Sequence, residues 1–221
     1  MARYYCIPDL HGRKDLLDKA LEALYEQNPN GGKIVFLGDY IDRGDDSLGV
    51  VRTVMNPSEG WEFVCLMGNH EEMFVQAYMG MGQFYCPKTL QSFCPDVPLF
   101  RDQIVRAIPR DIVEWMKNLP MWHFVESTIF AHAWYNPELT EDQQQQNNVL
   151  WERLADHEPY PDDKYLVHGH TPRRHGPVEA YGRTNLDCGA VFYGRLVVAV
   201  MSTERLAPTG FLEFKGEPWR D

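Results

Sequence analysis

The sequence predicts an α+β fold with α/β-like layers, in which two β-sheets pack together and helices lie outside them. Three observations predict it. Strand and helix patterns alternate through the first part of the chain, and mostly strand patterns follow. This order is that of layered sheets flanked by helices. Finally, three early apolar runs, at residues 4–7, 34–37 and 63–67, each stop at a turn that carries Asp, His or Asn.

Residues 4–7 form a short strand. Residues 13–26 read as an amphipathic helix, because Leu17, Leu21 and Leu24 fall on one face at i, i+4 and i+7. Residues 28–32 are a turn and 34–37 the next strand, so the chain opens with a strand–helix–strand unit. Ser47 is placed as the cap of a short helix over 48–55. A third strand spans 63–67, and a helix runs from Glu71 to about Met81. Residues 82–119 read as a mainly helical insertion, without candidate ligands, in one domain of residues 1–221. Within it Pro109 starts a helix through Trp115 to Asn118. Met79, Met81, Phe84, Phe93 and Phe100 either line a substrate groove or, as is commoner, pack in a core. Strands follow at 124–125, 129–131, 165–167, 184–187 and 196–201. The polar run 141–148 is an exposed loop or the start of a helix.

The chain has 221 residues, 44% hydrophobic and 24% charged, enough for one sizeable core. Its formal net charge of −11 argues against a general nucleic-acid surface. No run reaches the roughly 20 apolar residues that cross a bilayer, so no membrane association is expected. The first strand begins too close to Met1 for a signal peptide. The five cysteines are odd in number and lack CxxC spacing, which fits a reducing, cytoplasmic setting. Cys86 and Cys94 are read as two free thiols.

The strand ends carry the chemistry. Asp9 and His11 are two apart, so on an extended segment both face one ion. Asp39 adds a carboxylate able to bridge to a second ion, and Asn69, His132 and His170 complete that second site. Carboxylates, imidazoles and one amide without a thiolate suit Mn²⁺, Fe or Zn²⁺ better than a cysteine-rich structural site. Two ions about 3.5–4 Å apart acidify a bridging water and hold a phosphoryl oxygen for in-line displacement. Arginine forks match the remaining phosphoryl oxygens, and Arg43 and Arg153 are the candidates. On local pattern alone Arg153, in Trp151-Glu152-Arg153, fits a surface salt bridge equally well. His70, beside Asn69, is placed to protonate a leaving alkoxide, with Asp42 orienting its imidazole. A single histidine at a strand end is usually just a satisfied polar residue; the joint occurrence of these groups is what argues for a site. His168 is read as supporting or structural, and His123, His157 and His175 as ordinary polar residues.

These residues resemble the PPP family of metallophosphoesterases, the calcineurin-like serine/threonine protein phosphatases. The family pattern is GDxHG, GDxVDRG, GNHE, a His before a small residue, and GHT. The chain shows Pro8-Asp9-Leu10-His11-Gly12, Gly38-Asp39-Tyr40-Ile41-Asp42-Arg43-Gly44, Gly68-Asn69-His70-Glu71, His132-Ala133 and Gly169-His170-Thr171 in that order. Length, the Trp-x-Arg and the segment Asp187-Cys188-Gly189-Ala190-Val191-Phe192 look like the compact phosphatases of bacteriophage lambda and bacteria. The resemblance implies a central β-sandwich of two mixed sheets and a dinuclear centre, typically activated by manganese. It places Asp9, His11 and Asp39 on one ion and Asp39, Asn69, His132 and His170 on the other. His70 with Asp42 becomes the acid pair, and Arg43 with Arg153 the phosphate clamp. Two positions depart from the pattern. Pro8 replaces a glycine, so the shape of the loop before Asp9 is expected to differ. Trp134 stands where relatives carry glycine or aspartate, and either walls the site or packs beneath it.

The expected function is therefore a phosphomonoesterase acting on phosphoserine and phosphothreonine of protein substrates, with phosphotyrosine a further possibility. The alternative is a dinucleoside polyphosphate hydrolase of the same superfamily. Those relatives typically carry alanine where Asp42 stands, so Asp42 favours the phosphatase. A non-catalytic scaffold is disfavoured because all six candidate ligands and the acid pair are present.

Overall fold

The computed structural model describes residues 3–96, 101–155, 159–161 and 163–219. The first sheet is built from β1 (Arg3–Ile7), β2 (Gly32–Phe36) and β3 (Trp61–Cys65), with α1 (Lys14–Gln27) and α2 (Ser47–Met55) as the crossovers. Helices α3 (Asn69–Tyr78), α4 (Pro87–Phe93), α5 (Arg101–Ala107) and α6 (Arg110–Lys117) lead to the second sheet. That sheet holds β4 (Trp122–Val125), β5 (Thr128–Ala131), β6 (Tyr165–His168), β7 (Val178–Ala180) and β8 (Arg183–Asn185), with α7 (Gln146–Trp151) between β5 and β6. A short helix α8 (Ala190–Tyr193) then returns the chain to the first sheet as β9 (Arg195–Ser202) and β10 (Arg205–Lys215).

The strand orders are β10-β9-β1-β2-β3 and β4-β5-β6-β8-β7. In both sheets three neighbouring strands run parallel, namely β1, β2 and β3 in one and β5, β6 and β8 in the other. The remaining strands pair antiparallel beside them. The expected two mixed sheets are present, with helices outside.

Strand alternation explains the layers. Tyr4, Cys6, Val35, Phe130, Val167, Ala199 and Met201 pack in one buried cluster between the sheets. Tyr5, Ile7, Ile34, Phe36, Leu196 and Val198 belong to the other cluster, together with Leu17, Leu21 and Leu24 of α1. Strands covered on both faces read as continuous apolar runs, which is why residues 34–37 show no polar alternation.

Several boundaries differ from expectation for local reasons. Asp46, not Ser47, caps α2: its side chain accepts from Gly49 N at 2.7 Å. The Ser47 hydroxyl instead accepts from Asp42 N. The third strand lies two residues earlier than residues 63–67, and α3 starts at Asn69. Strand β10 was not foreseen: it contains Pro208 and Gly210, and its register shifts between Arg205 and Gly210. Proline and glycine are tolerated at such an edge and bulge. Pro8 sits just past the last β1–β2 pair, Ile7 with Phe36, so its missing N–H removes no bond from that ladder. The stretch 82–119 carries α4, α5 and α6. In it Phe84 and Phe93 pack on Phe74, and just before it Met79 and Met81 are exposed. Phe100 and His157 lie outside the described residues. Cys86 and Cys94 are free thiols. Among the described residues no helix is long and apolar enough to cross a membrane.

Candidate metal centre

The six candidate ligands stand at the carboxyl ends of parallel strands. Asp9 and His11 follow β1, and Asp39 follows β2. Asn69 opens α3 just past β3, His132 follows β5, and His170 lies two residues past β6. Loops at these ends are where parallel sheets hold ligands.

The first-sheet loops are wired to one another. Leu10 N and His11 N both donate to Asp39 O, at 3.0 and 2.8 Å, and Gly12 N donates to Tyr40 O. Glu71, fully buried, accepts from the backbone N of Asp39, Tyr40, Ile41 and Gly68 at 2.8–3.3 Å. Burial and the charge of Asp39 push the Glu71 carboxyl up to about 8, against the pull of these N–H groups. His11, Asp39, Asp42, Arg43 and His170 all have positive φ, shared among described non-glycine residues only with Glu126 and Tyr181. Such strain persists only where the surroundings over-determine it, and it gathers at functional sites. Two glycines are required by close approach. A Cβ on Gly68 would collide with the Asp39 carboxylate and backbone, and one on Gly169 with the Asp9 carboxylate.

The imidazoles are prepared to act as donors. Nδ1–H of His11 donates to Ile41 O at 2.8 Å, and Nδ1–H of His132 to Leu37 O at 2.9 Å. Each bond fixes the tautomer and leaves an Nε2 lone pair facing the site. His132 Nε2 lies 3.0 Å from Asn69 Oδ1 and 3.2 Å from His170 Nδ1. Burial, above all, holds His11 and His132 below the usual imidazole range and takes His170 down to about 4. Asp39 stays ionised: burial works against its charge, but His132, His70 and His11 outweigh that and lower its pKa.

Two groups of convergent ligand atoms result, His11 with Asp39 and His70, and Asp39 with His132 and His170. They share Asp39, and carboxylates and imidazoles of this kind would hold a pair of hard or borderline divalent ions. Asp9 lies beside them with both oxygens taking the His170 N–H, at 3.1 and 3.3 Å. Burial and then the charges of Asp187 and Asp39 raise its pKa.

A cleft of about 330 Å³ opens over this floor. Asp9, His11, Asp39, Arg43, Asn69, His70, Arg153 and His170 line it. Of the sequence-predicted site residues, only Asp42 and the fully buried His132 lie beneath that lining. His70 Nδ1 is 2.6 Å from Asp42 Oδ2. Thr89 Oγ1 donates to Asp42 Oδ1 at 2.5 Å and accepts from Asp42 N. Burial pushes His70 down, but Asp39 and the bond to Asp42 more than offset it, and its pKa is raised. Arg43 contacts His11, and its Nη2 lies 3.0 Å from His70 Nε2. The exposed Arg153 enters the cleft from the end of α7. Glu72 steadies that helix by accepting from Trp151 Nε1 and Gln146 Nε2.

Some residues escaped the sequence reading. Thr89 and Tyr85 lie in the stretch expected to hold no candidate ligand, and neither was singled out there. Thr89 grips Asp42, and the Tyr85 ring stands 5.2 Å from that of His70. No motif marks them. Glu71 was visible as part of Gly68-Asn69-His70-Glu71, but its four-fold acceptor role is set by the fold. Trp134 packs against Tyr160, with ring centroids 5.4 Å apart, and is not part of the cleft lining. His168 pairs with Arg183 at 2.9 Å and stays out of the cleft, as a structural residue.

Residues 2–199 match the calcineurin-like phosphoesterase family. The chain belongs to that family. It is thus a metallophosphoesterase, a hydrolase class that works with paired divalent ions. Its relatives differ in named activity. It is 26% identical to a bis(5'-nucleosyl)-tetraphosphatase, PrpE [asymmetrical], of Anoxybacillus flavithermus, over 87% of this chain and 88% of that one. It is 29% identical to the serine/threonine-protein phosphatase 1 of Salmonella typhimurium, over 88% and 90%. A solved structure provisionally described as a diadenosine tetraphosphatase superposes with a TM-score of 0.73 at 22% identity, covering 97% of this chain and 94% of that one.

Proposed function

We propose that the protein is a metal-dependent phosphomonoesterase acting on phosphoserine and phosphothreonine. The observation that carries this reading is the buried His70–Asp42 pair, locked by Thr89, with the His70 pKa raised. An alkoxide is a poor leaving group and needs a proton as the P–O bond breaks, which such a pair supplies. Asp9, His11, Asp39, Asn69, His132 and His170 would hold two divalent ions, with Mn²⁺ the first choice. When bound, such ions acidify a water and neutralise phosphoryl charge. Arg43 and Arg153, on the cleft wall, clamp the phosphoryl oxygens and hold phosphorus in line with His70.

A second reading, cleavage of dinucleoside polyphosphates, is favoured by the aromatic rim. Tyr85, Trp151 and Phe192 line the cleft and are 60%, 40% and 41% exposed, which offers apolar surface to a base, although Arg43 already lies over the Phe192 ring. The tetraphosphatases among the relatives also support it, and Asp42 weighs against it. The leaving group separates the two activities: a nucleoside phosphate leaves readily without a proton donor.

The test is hydrolysis by metal-stripped protein with Mn²⁺ restored, comparing a phosphoserine peptide and p-nitrophenyl phosphate with diadenosine tetraphosphate. Manganese-dependent turnover of the peptide above that of the dinucleotide is expected. Preferential cleavage of the dinucleotide overturns the first reading in favour of the second.

A further inference from the structure

Six parallel strands point their carboxyl ends at the cleft. Five of them, β1, β2, β3, β5 and β6, deliver the six candidate ligands. The sixth, β8, ends at Asn185, and two residues later comes Asp187. His170 stands at the same offset past β6, and Asp9 at the same offset past β1. Asp187 is 4% exposed and lines the cleft beside Asp9. Its Oδ1 accepts from Gly189 N at 2.9 Å, and its carbonyl accepts from Arg173 N. One oxygen therefore has a structural task. The charge does not need to be there for that task, because a neutral amide oxygen would cap Gly189 N equally well.

A buried carboxylate beside two others is unfavourable unless a cation compensates it. Arg43 and Arg173 act on Asp187 electrostatically, from the cleft wall and from the loop after β6. The adjoining floor already gathers ring nitrogens of His11, His132 and His170 around Asp39. We propose that Asp187 is a further member of the ion-holding set, acting on the Asp9 side of the centre. Its negative charge raises the affinity of the cleft for a divalent cation, while its shape merely caps Gly189. It is a positioning residue rather than a catalytic one, and the inference rests on the metal-dependent reading above.

The experiment compares Asp187→Asn and Asp187→Ala with the parent chain, all metal-stripped, by calorimetric titration with Mn²⁺ and by the Tm shift that Mn²⁺ produces. The amide keeps an acceptor for Gly189 N, so the metal-free Asn variant is expected to melt no lower than the parent. Partners that tune metal ligands are worth about 10–100-fold in affinity. The weaker-binding ion of the Asn variant is expected to lose about tenfold or more, with a smaller Mn²⁺-induced Tm shift. Parent-like Mn²⁺ binding by the Asn variant, with a defect only in Asp187→Ala, overturns the proposal and leaves Asp187 as a loop cap. Failure of the parent itself to bind Mn²⁺ or Zn²⁺ is a different result, and removes the metal-dependent reading together with this inference.

Discussion

The two sheets feed the same cleft in different ways. On the first, the loop after β1 bonds to the loop after β2 through backbone groups, and the loops after β2 and β3 converge on one buried side chain, Glu71. On the second, the residues after β5, α7 and β6 are tied by scattered contacts. His132 reaches across to Leu37 O, Gly169 N donates to His132 O, and Glu72 holds Trp151 from the opposite sheet. The first arrangement is a preassembled floor. The second is a set of arms whose position depends on the floor. Damage to the floor should therefore abolish function, whereas damage to an arm should alter only what that arm touches.

The largest effect is expected at the point where the floor meets the chemistry. His70→Asn should lower kcat on a phosphoserine peptide by about 10²–10⁴-fold, the usual worth of a positioned acid. Metal content, read by elemental analysis, should be unchanged. Full turnover of the peptide would remove His70 from the acid role. The pH profile sharpens this. The raised pKa keeps His70 protonated above the ordinary histidine range near 6.5. Turnover of alkoxide-leaving substrates should fall as pH rises past the His70 value, at a higher pH than for an ordinary histidine, and the Asn variant should lose that alkaline limb.

Glu71→Ala should come next. It strips the acceptor from four backbone N–H groups, each costing about 1–3 kcal/mol if left unsatisfied. Stability to urea should fall by several kcal/mol, and ion binding should be lost with it. Unchanged stability would mean that the loops hold without Glu71. Glu72→Ala tests an arm instead. Trp151 and Gln146 lose their acceptor, and KM should rise a few-fold through Arg153 with the ions still bound. Smallest of all, Trp134→Phe should leave kcat/KM unchanged, since Trp134 packs on Tyr160 away from the cleft. A large loss there would place it back beside the site.

The same contrast governs what could be read from the sequence. The floor was legible because its groups are contiguous: Asp39, Asp42 and Arg43 share one turn, and Asn69 and His70 another. The central strands were legible as unbroken apolar runs. The arms were harder. Arg153 is one charged residue after a tryptophan, and only the family resemblance separated it from a surface pair. Thr89 reaches Asp42 through the packing of α4, and Tyr85 reaches His70 from the segment before that helix, which no spacing encodes. Strand β10 was hidden because Pro208 and Gly210 deny it the composition of a strand, and Ser47 looked like a cap because the neighbouring Asp46 was passed over.

That same β10 bears on how the protein behaves in concentrated solution. With eleven residues it is the longest strand among the described residues, and it lies at the edge of its sheet. Exposed edges invite another chain to add a strand. Here the outer row is interrupted by a proline and a bulge, and its end carries Glu213 and Lys215 on a chain of net charge −11. Two copies approaching edge to edge would meet a broken register and like net charge. The strand that closes the fold is thereby a poor template for fibrous growth.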